Sequence, residues 1–221
     1  MSDQPSREVR NLNALLDVAK ALGAEMQLDN LLPVIISKTT EVIDAERSSL
    51  FIYDEETNEM WSKVAEGMDS KEIRFPVGVG IAGDVAKTLK TVNIPDAYKD
   101  DRFNPAFDKE TNYRTKSILC MPMLNNEGAL VGVVQVLNKK DGSTFDDKDE
   151  SLLEALSVQA GVAIQRARLL EAFVEKQRIQ ESLKLAADIQ MGMLPKDFPA
   201  FPDRDDFDLF ASIIPAKEVG G

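Results

Sequence analysis

The sequence predicts an α+β fold: two amphipathic helices, a sheet built mainly from hairpins, and a long closing helix. Three observations carry this. Apolar residues recur at three- and four-residue spacing before residue 45 and again after Asp147. Between these stretches lie short β-rich runs separated by polar turns. Two of the runs, Ser117 to Leu124 and Ala129 to Leu137, face each other across Asn125-Asn126-Glu127-Gly128, which reads as a hairpin.

In chain order, residues 7–25 place Leu12, Leu15, Leu16, Ala19 and Leu22 on one helical face, with Gly23 near the end. Asp29 is suited to cap a second helix carrying Pro33 in its first turn, with Leu32, Ile35, Ile36, Thr39, Val42 and Ile43 inward. Ser48 to Tyr53 and Met60 to Ala65 read as strands, with Phe51, Met60 and Trp61 in the core. Ile73 to Pro76 is a third strand, which the proline assigns to an edge or a strand end. Gly78 to Gly83 leads into a short helix over 82–89. Residues 91–116 read as a long polar loop, the kind that serves as a lid.

From Asp147 to about Leu194 the pattern is helical. Asp147 reads as the N-cap, with Glu150 completing a capping box and Lys139 placed to pair with a nearby carboxylate. Leu152, Leu156, Ala160, Ala163, Ala167, Leu170 and Val174 keep an a/d-like spacing that resumes at Ile179, Leu183, Ala186, Gln190 and Met193. The second half carries one narrow stripe flanked by Arg178, Glu181, Lys184 and Asp188, which reads as the seam of a parallel homodimer or as a solvated linker helix. Pro195, Pro199 and Pro202 end the helix, and Phe207 to Ile214 reads as one further strand.

Composition removes several function classes. The 221 residues carry a formal net charge of −12 and no local basic patch, which disfavours nucleic acid and anionic membranes. No apolar run approaches the roughly 18–20 residues of a membrane span, and the N-terminus lacks the apolar core of a signal peptide. One cysteine, Cys120, and no histidine exclude a disulfide framework, point to the cytoplasm, and remove Ser-His and Cys-His catalysis. Cys120 sits in an apolar strand without a basic neighbour and reads as an inert core thiol.

The remaining candidates suit ligand binding better than catalysis. Gly78-Val79-Gly80-Ile81-Ala82-Gly83 is a literal G-x-G-x-x-G, but Pro76 interrupts the preceding strand and no βαβ unit follows. It is either an anion-binding helix N-terminus or a turn that needs glycine. Gln135 is the polar side chain within Leu130 to Leu137, on the face of Val131, Val133 and Leu137; it either reads the edge of a base or bonds a loop. Thr111, Thr115 and Ser117 lie ahead of the partner strand, as pocket lining or as loop caps.

Three stretches carry a resemblance: Gly80-Ile81-Ala82-Gly83-Asp84-Val85-Ala86, Asn93-Ile94-Pro95-Asp96-Ala97-Tyr98, and Asn138, Lys139, Phe145, Asp149 and Glu150 in an Asn-Lys-(x)n-Phe-x-x-x-Asp-Glu pattern. With the element order, residues 10–165 resemble a GAF domain of the kind found in cyclic-nucleotide phosphodiesterases and related bacterial cyclases. The resemblance implies a largely antiparallel six-stranded sheet with helices on both faces, followed by a dimerising linker helix. It implies that Lys139 and Asp149 form a structural latch, joined by Asn138, Phe145 and Glu150, rather than ligand contacts. It implies a cyclic-nucleotide site in which Ser49 and Gln135 face the base, and Ile81 and Ala82 offer backbone N–H groups to the phosphate. Thr111 and Thr115 would line the lid with Asp108 nearby, and Ala65 stands where some relatives stack an aromatic ring. Guanine-preferring relatives often use an acid where Gln135 stands, so cAMP is expected ahead of cGMP.

A second resemblance covers Ala187-Asp188-Ile189-Gln190, Leu194-Pro195, Phe198-Pro199 and Pro215 to Gly221, which look like the entry to RsbU/SpoIIE-type serine phosphatases. In that family the first metal-binding aspartate follows directly after such a Val-Gly-Gly. The expected organisation is a sensory domain over 1–165, a helical linker over 166–194 and the opening of a phosphatase over 195–221. No catalytic residue or metal ligand is expected in these residues; magnesium or manganese, and an anti-sigma-antagonist type phosphoprotein, would belong to the phosphatase.

Overall fold

The computed structural model describes residues 7–62, 73–192 and 206. Ala65, Met193 and the expected strand Phe207 to Ile214 lie outside the described residues. Two compact units divide the chain between Arg168 and Leu169.

In the first unit, helix α1 spans Arg7–Ala24 and α2 spans Leu28–Ile43. Leu31, Leu32, Ile35, Ile36, Thr39, Thr40 and Ile43 are buried, the three- and four-residue spacing of one apolar face. Asp29 is not the cap expected of it. Gln27 holds the N-cap position, Asp29 falls in the first turn, and Pro33 sits one turn further in on the exposed side. Asp44, left-handed at φ 56°, closes the helix through its backbone N–H, and β1 (Ala45–Asp54) starts at the next residue.

The sheet is completed by β2 (Glu59–Ser62), β3 (Ile73–Pro76), β4 (Val92–Ile94), β5 (Ile118–Leu124) and β6 (Leu130–Lys139), in the order β3-β2-β1-β6-β5-β4. Every pairing is antiparallel. Pro76 lies on an edge strand, where its missing N–H costs no ladder bond.

Alternation of side chains splits the core in two. Leu119, Met121 and Met123 of β5 pack with β1, β6, α1, α2 and the first part of α5 (Asp147–Gly192). Ile118 and Cys120 point the other way, into a cluster with Phe51, Met60, Val133 and the apolar face of α3 (Gly80–Thr88). A bulge at the far end of β6 pairs Met123 with Gly132 but Leu124 with Leu130, leaving Val131 as the extra residue. Val131 therefore packs on the helix-bearing side, not on the face of Gln135 where strict alternation placed it.

The polar stretch 91–116 is more structured than its composition suggested. It contains β4, a single helical turn at Ala97–Lys99 and the short helix α4 (Ala106–Thr111). α5 buries Leu153, Leu156, Ser157, Ala160, Gly161, Ala163, Ile164 and Ala167. In the second unit its side chains from 171 to 185 are exposed, with Phe173 58 % and Ile179 51 % accessible. No helix among the described residues is long and apolar enough to cross a membrane.

Candidate functional site

A cavity of about 290 Å³ opens on the sheet face opposite the α1–α2–α5 layer. Its floor comes from the central strands: Arg47 and Ser49 of β1, Ile118 of β5, and Gln135 and Leu137 of β6. Ser49 and Gln135 are direct cross-strand partners, so two polar side chains meet beside the apolar Ile118 and Leu137. Neither side chain makes a hydrogen bond with another described residue.

One wall is β3 with the start of α3. Gly78 and Gly80 hold φ of 93° and 69°, the left-handed region that glycine enters freely, so the turn does require these residues. That turn swings the first residues of α3, Ile81 and Ala82, against the cavity. No side chain caps α3, and helix geometry leaves the N–H groups of Gly80, Ile81 and Ala82 without intrahelical acceptors. The two readings of the glycine motif are thus compatible: a glycine-dependent turn that presents a bare helix N-terminus.

The other wall is the segment from Arg102 to Thr115, contributing Phe103, Asn104, Phe107, Asp108, Thr111 and Tyr113. It is held by its own polar network. The buried Asp108 accepts from the Tyr98 hydroxyl at 2.9 Å, the Thr115 backbone N–H at 2.7 Å and the Thr115 hydroxyl at 2.7 Å. The Thr111 hydroxyl donates to the carbonyl of Phe107 within α4. Asp108, Thr111 and Thr115 all border the cavity, and their polar groups are already engaged. Thr115 has spent its one donor and can only accept.

Three guanidinium groups ring the space. Arg102 bonds Asp84 of α3 at 2.6 Å and Asp100 at 2.7 Å, tying the lid to the helix wall. Arg74 pairs with Asp54 at 3.2 Å. Arg47 has no ion-pair partner among the described residues; its guanidinium lies over the Tyr113 ring, 3.9 Å from the centroid. Sequence reading missed Arg47. Its position two residues before Ser49 on the same strand face was the available signal.

Behind the lid sits the junction anticipated as a latch. Lys139 Nζ donates to both Asp149 oxygens at 2.8 and 2.7 Å, and the two side chains are only 9 % and 4 % exposed. The helix cap falls one residue earlier than expected. Asp146 Oδ1 accepts from the N–H groups of Lys148 and Asp149, and Asp149 Oδ2 accepts from the N–H of Asp146, a reciprocal capping box. Asp147 is simply the first helical residue. Glu150 instead accepts from Asn93 Nδ2 at 2.7 Å, and that amide also reaches the carbonyl of Phe145, whose ring is buried.

Asn138, left-handed at φ 50°, ties the lid exit to the sheet. Its Oδ1 accepts from the backbone N–H groups of Lys116 and Ser117, and its Nδ2 lies within bonding distance of Glu46, Tyr113 and the Arg114 carbonyl. The Asn138 amide beside Glu46 holds that carboxyl below its ordinary range. Burial pushes the Tyr113 phenol up, and pushes the fully buried Cys120 thiol up as well, leaving Cys120 a neutral core group. The described residues contain no cluster of three or more Cys, Asp or Glu suited to a metal ion.

The family model for the GAF domain matches residues 27–164, which covers the sheet, the lid and the latch. The chain belongs to the GAF domain family. Among curated proteins it is 35% identical over 192 residues to a probable 3′,5′-cyclic phosphodiesterase, pde-5, of Caenorhabditis elegans, covering 80% of this chain and 25% of that protein. It is 38% identical over 169 residues to the dual 3′,5′-cyclic-AMP and -GMP phosphodiesterase 11A of Takifugu rubripes, covering 71% of this chain and 19% of that one. The chain thus spans a quarter or less of these relatives' length. Among solved structures, the GAF domain of a phosphoenolpyruvate-protein phosphotransferase from Coxiella burnetii superposes with a TM-score of 0.67 at 22% identity, covering 76% of this chain and 99% of that one. That likeness establishes the shared fold.

Proposed function

We propose that this GAF domain, over residues 1–165, binds a 3′,5′-cyclic nucleotide, cAMP ahead of cGMP, and passes its state to an RsbU/SpoIIE-type serine phosphatase beginning near residue 195. The observation that carries the reading is the cavity's polarity pattern: a bare helix N-terminus on one wall, and on the floor two unengaged polar side chains between Arg47 and the apolar Ile118 and Leu137. An anionic phosphate suits Ile81 and Ala82, and Arg47, which has no ion pair among the described residues, adds positive potential at the floor. Ser49 and Gln135 then read the base. A glutamine pairs an adenine edge through its amide donor and acceptor, which favours cAMP. Thr115, limited to accepting, suits the exocyclic amine. Thr111 and Asp108 shape the lid beside it. Relatives named as cyclic phosphodiesterases support the ligand class. Titration calorimetry with cAMP and cGMP tests it: binding of cAMP with the tighter constant is expected, and no heat at millimolar nucleotide contradicts it.

Output would run through residues 166–194 as a parallel homodimeric linker in the cytoplasm, acting on a phosphoprotein of the anti-sigma-antagonist type. The exposed apolar side chains of the second unit support self-association. Light scattering after size exclusion should give twice the chain mass, and a concentration-independent monomer would exclude this route.

One observation favours a second reading, a ligand-free dimerisation scaffold answering to a protein partner. Three of the five polar side chains expected at the ligand already bond within the lid. Signalling left intact by Thr115→Ala and by Gln135→Leu would support it.

A further inference from the structure

Four aromatic rings border the cavity, and three of them are occupied. Phe75 meets the edge of Phe51 with centroids 5.1 Å apart, Phe103 tilts against Tyr98 at 5.1 Å, and Tyr113 carries the Arg47 guanidinium on its face. Phe107 alone has no ring or cation partner among the described residues. It is also 45 % exposed, so part of its ring is open to solvent beside the concave site. Asp108, the next residue, is buried and triply bonded to Tyr98 and Thr115. α4 is therefore anchored while its cavity-side ring stays uncovered.

We propose that Phe107 is the platform on which the ligand's base stacks. This rests on the cyclic-nucleotide reading of the cavity and adds to it the residue that holds the face of the base, as distinct from its edge or its phosphate. A purine offers a flat apolar face and a π-system of the size that an open phenyl ring lacks here. Stacking covers the ring and the base together, removing apolar surface of both from water. It is tolerant of base identity, so Phe107 contributes affinity to cAMP and cGMP alike and leaves the choice between them to Gln135 and Ser49.

The test is nucleotide titration of the wild-type chain alongside Phe107→Ala, Phe107→Leu and Phe107→Trp, with each protein's melting temperature recorded without nucleotide. Because the ring is exposed, the unliganded melting temperatures should coincide. Phe107→Ala should bind both nucleotides roughly 5- to 150-fold more weakly, the range that loss of one base–aromatic stack produces. Phe107→Leu, which keeps apolar bulk without a π-face, should recover only part of the loss, and Phe107→Trp should bind at least as tightly as wild type. A wild-type chain that binds neither nucleotide overturns both this assignment and the functional reading beneath it. Wild-type binding that Phe107→Ala leaves unchanged, or weakens for one nucleotide only, overturns the assignment of Phe107 alone.

Discussion

Lys139→Ala should cost about 3–5 kcal/mol of stability, the penalty for stranding one member of a buried ion pair. The stranded group is Asp149, 4 % exposed, which would lose both of its Lys139 contacts and keep only the N–H of Asp146. The pair joins the end of β6 to the first turn of α5, so its loss loosens the strand-to-helix junction and not only a surface contact. Denaturant unfolding reads the stability directly. A matched control separates charge from shape: Lys139→Met combined with Asp149→Leu removes both charges and should recover much of the loss, because no charge is left buried without a partner. Nucleotide affinity in Lys139→Ala should fall as well, although neither residue borders the cavity. Unchanged melting and affinity would show that the junction is not a latch.

Asp108→Ala should cost about 2–4 kcal/mol, since it leaves the Thr115 N–H and hydroxyl buried without their acceptor. The Tyr98 hydroxyl loses its partner too, but can turn to water. The damage should be local to the lid. Hydrogen exchange should accelerate over 98–115 while the amides of β1 and β6 keep their protection, a pattern of sub-global opening. Asp108→Asn keeps one acceptor and should fall between the two. If exchange instead rises evenly across the sheet, Asp108 supports the whole domain and the lid is not a separate unit.

Much of this architecture was legible in the chain. The hairpin at Asn125 to Gly128, the edge strand ending in Pro76 and the long helix from Asp147 follow from turn chemistry, proline and spacing, all local signals. The misreadings have tertiary causes. β4 is three residues long, too short to show periodicity, and exists because β5 offers it an edge. The cap of α5 shifted to Asp146 because Asp147 and Glu150 match the local pattern equally well, and only Lys139 and Asn93 decide which carboxylate goes where. Val131 changed faces through a bulge that β6 does not announce by itself. At the cavity, the glycine turn, Ser49 and Gln135 could be picked out as residue types. That Thr115 and Asp108 would satisfy one another, that Thr111 would bond the Phe107 carbonyl, and that Arg47 would lie over the Tyr113 ring without an ion pair among the described residues, depends on a lid folding back over strands far away in sequence.

The central claim is that this cavity holds a cyclic nucleotide, and thermal unfolding with added cAMP tests it most directly. At ~100 times its dissociation constant a ligand that binds only the folded chain adds ~2.7 kcal/mol. For a domain of this size that corresponds to a melting temperature roughly 5–10 °C higher. Such a rise with cAMP, smaller with cGMP at equal concentration and absent with AMP, is the expected result. A melting temperature that does not move with either cyclic nucleotide at millimolar concentration would contradict the account.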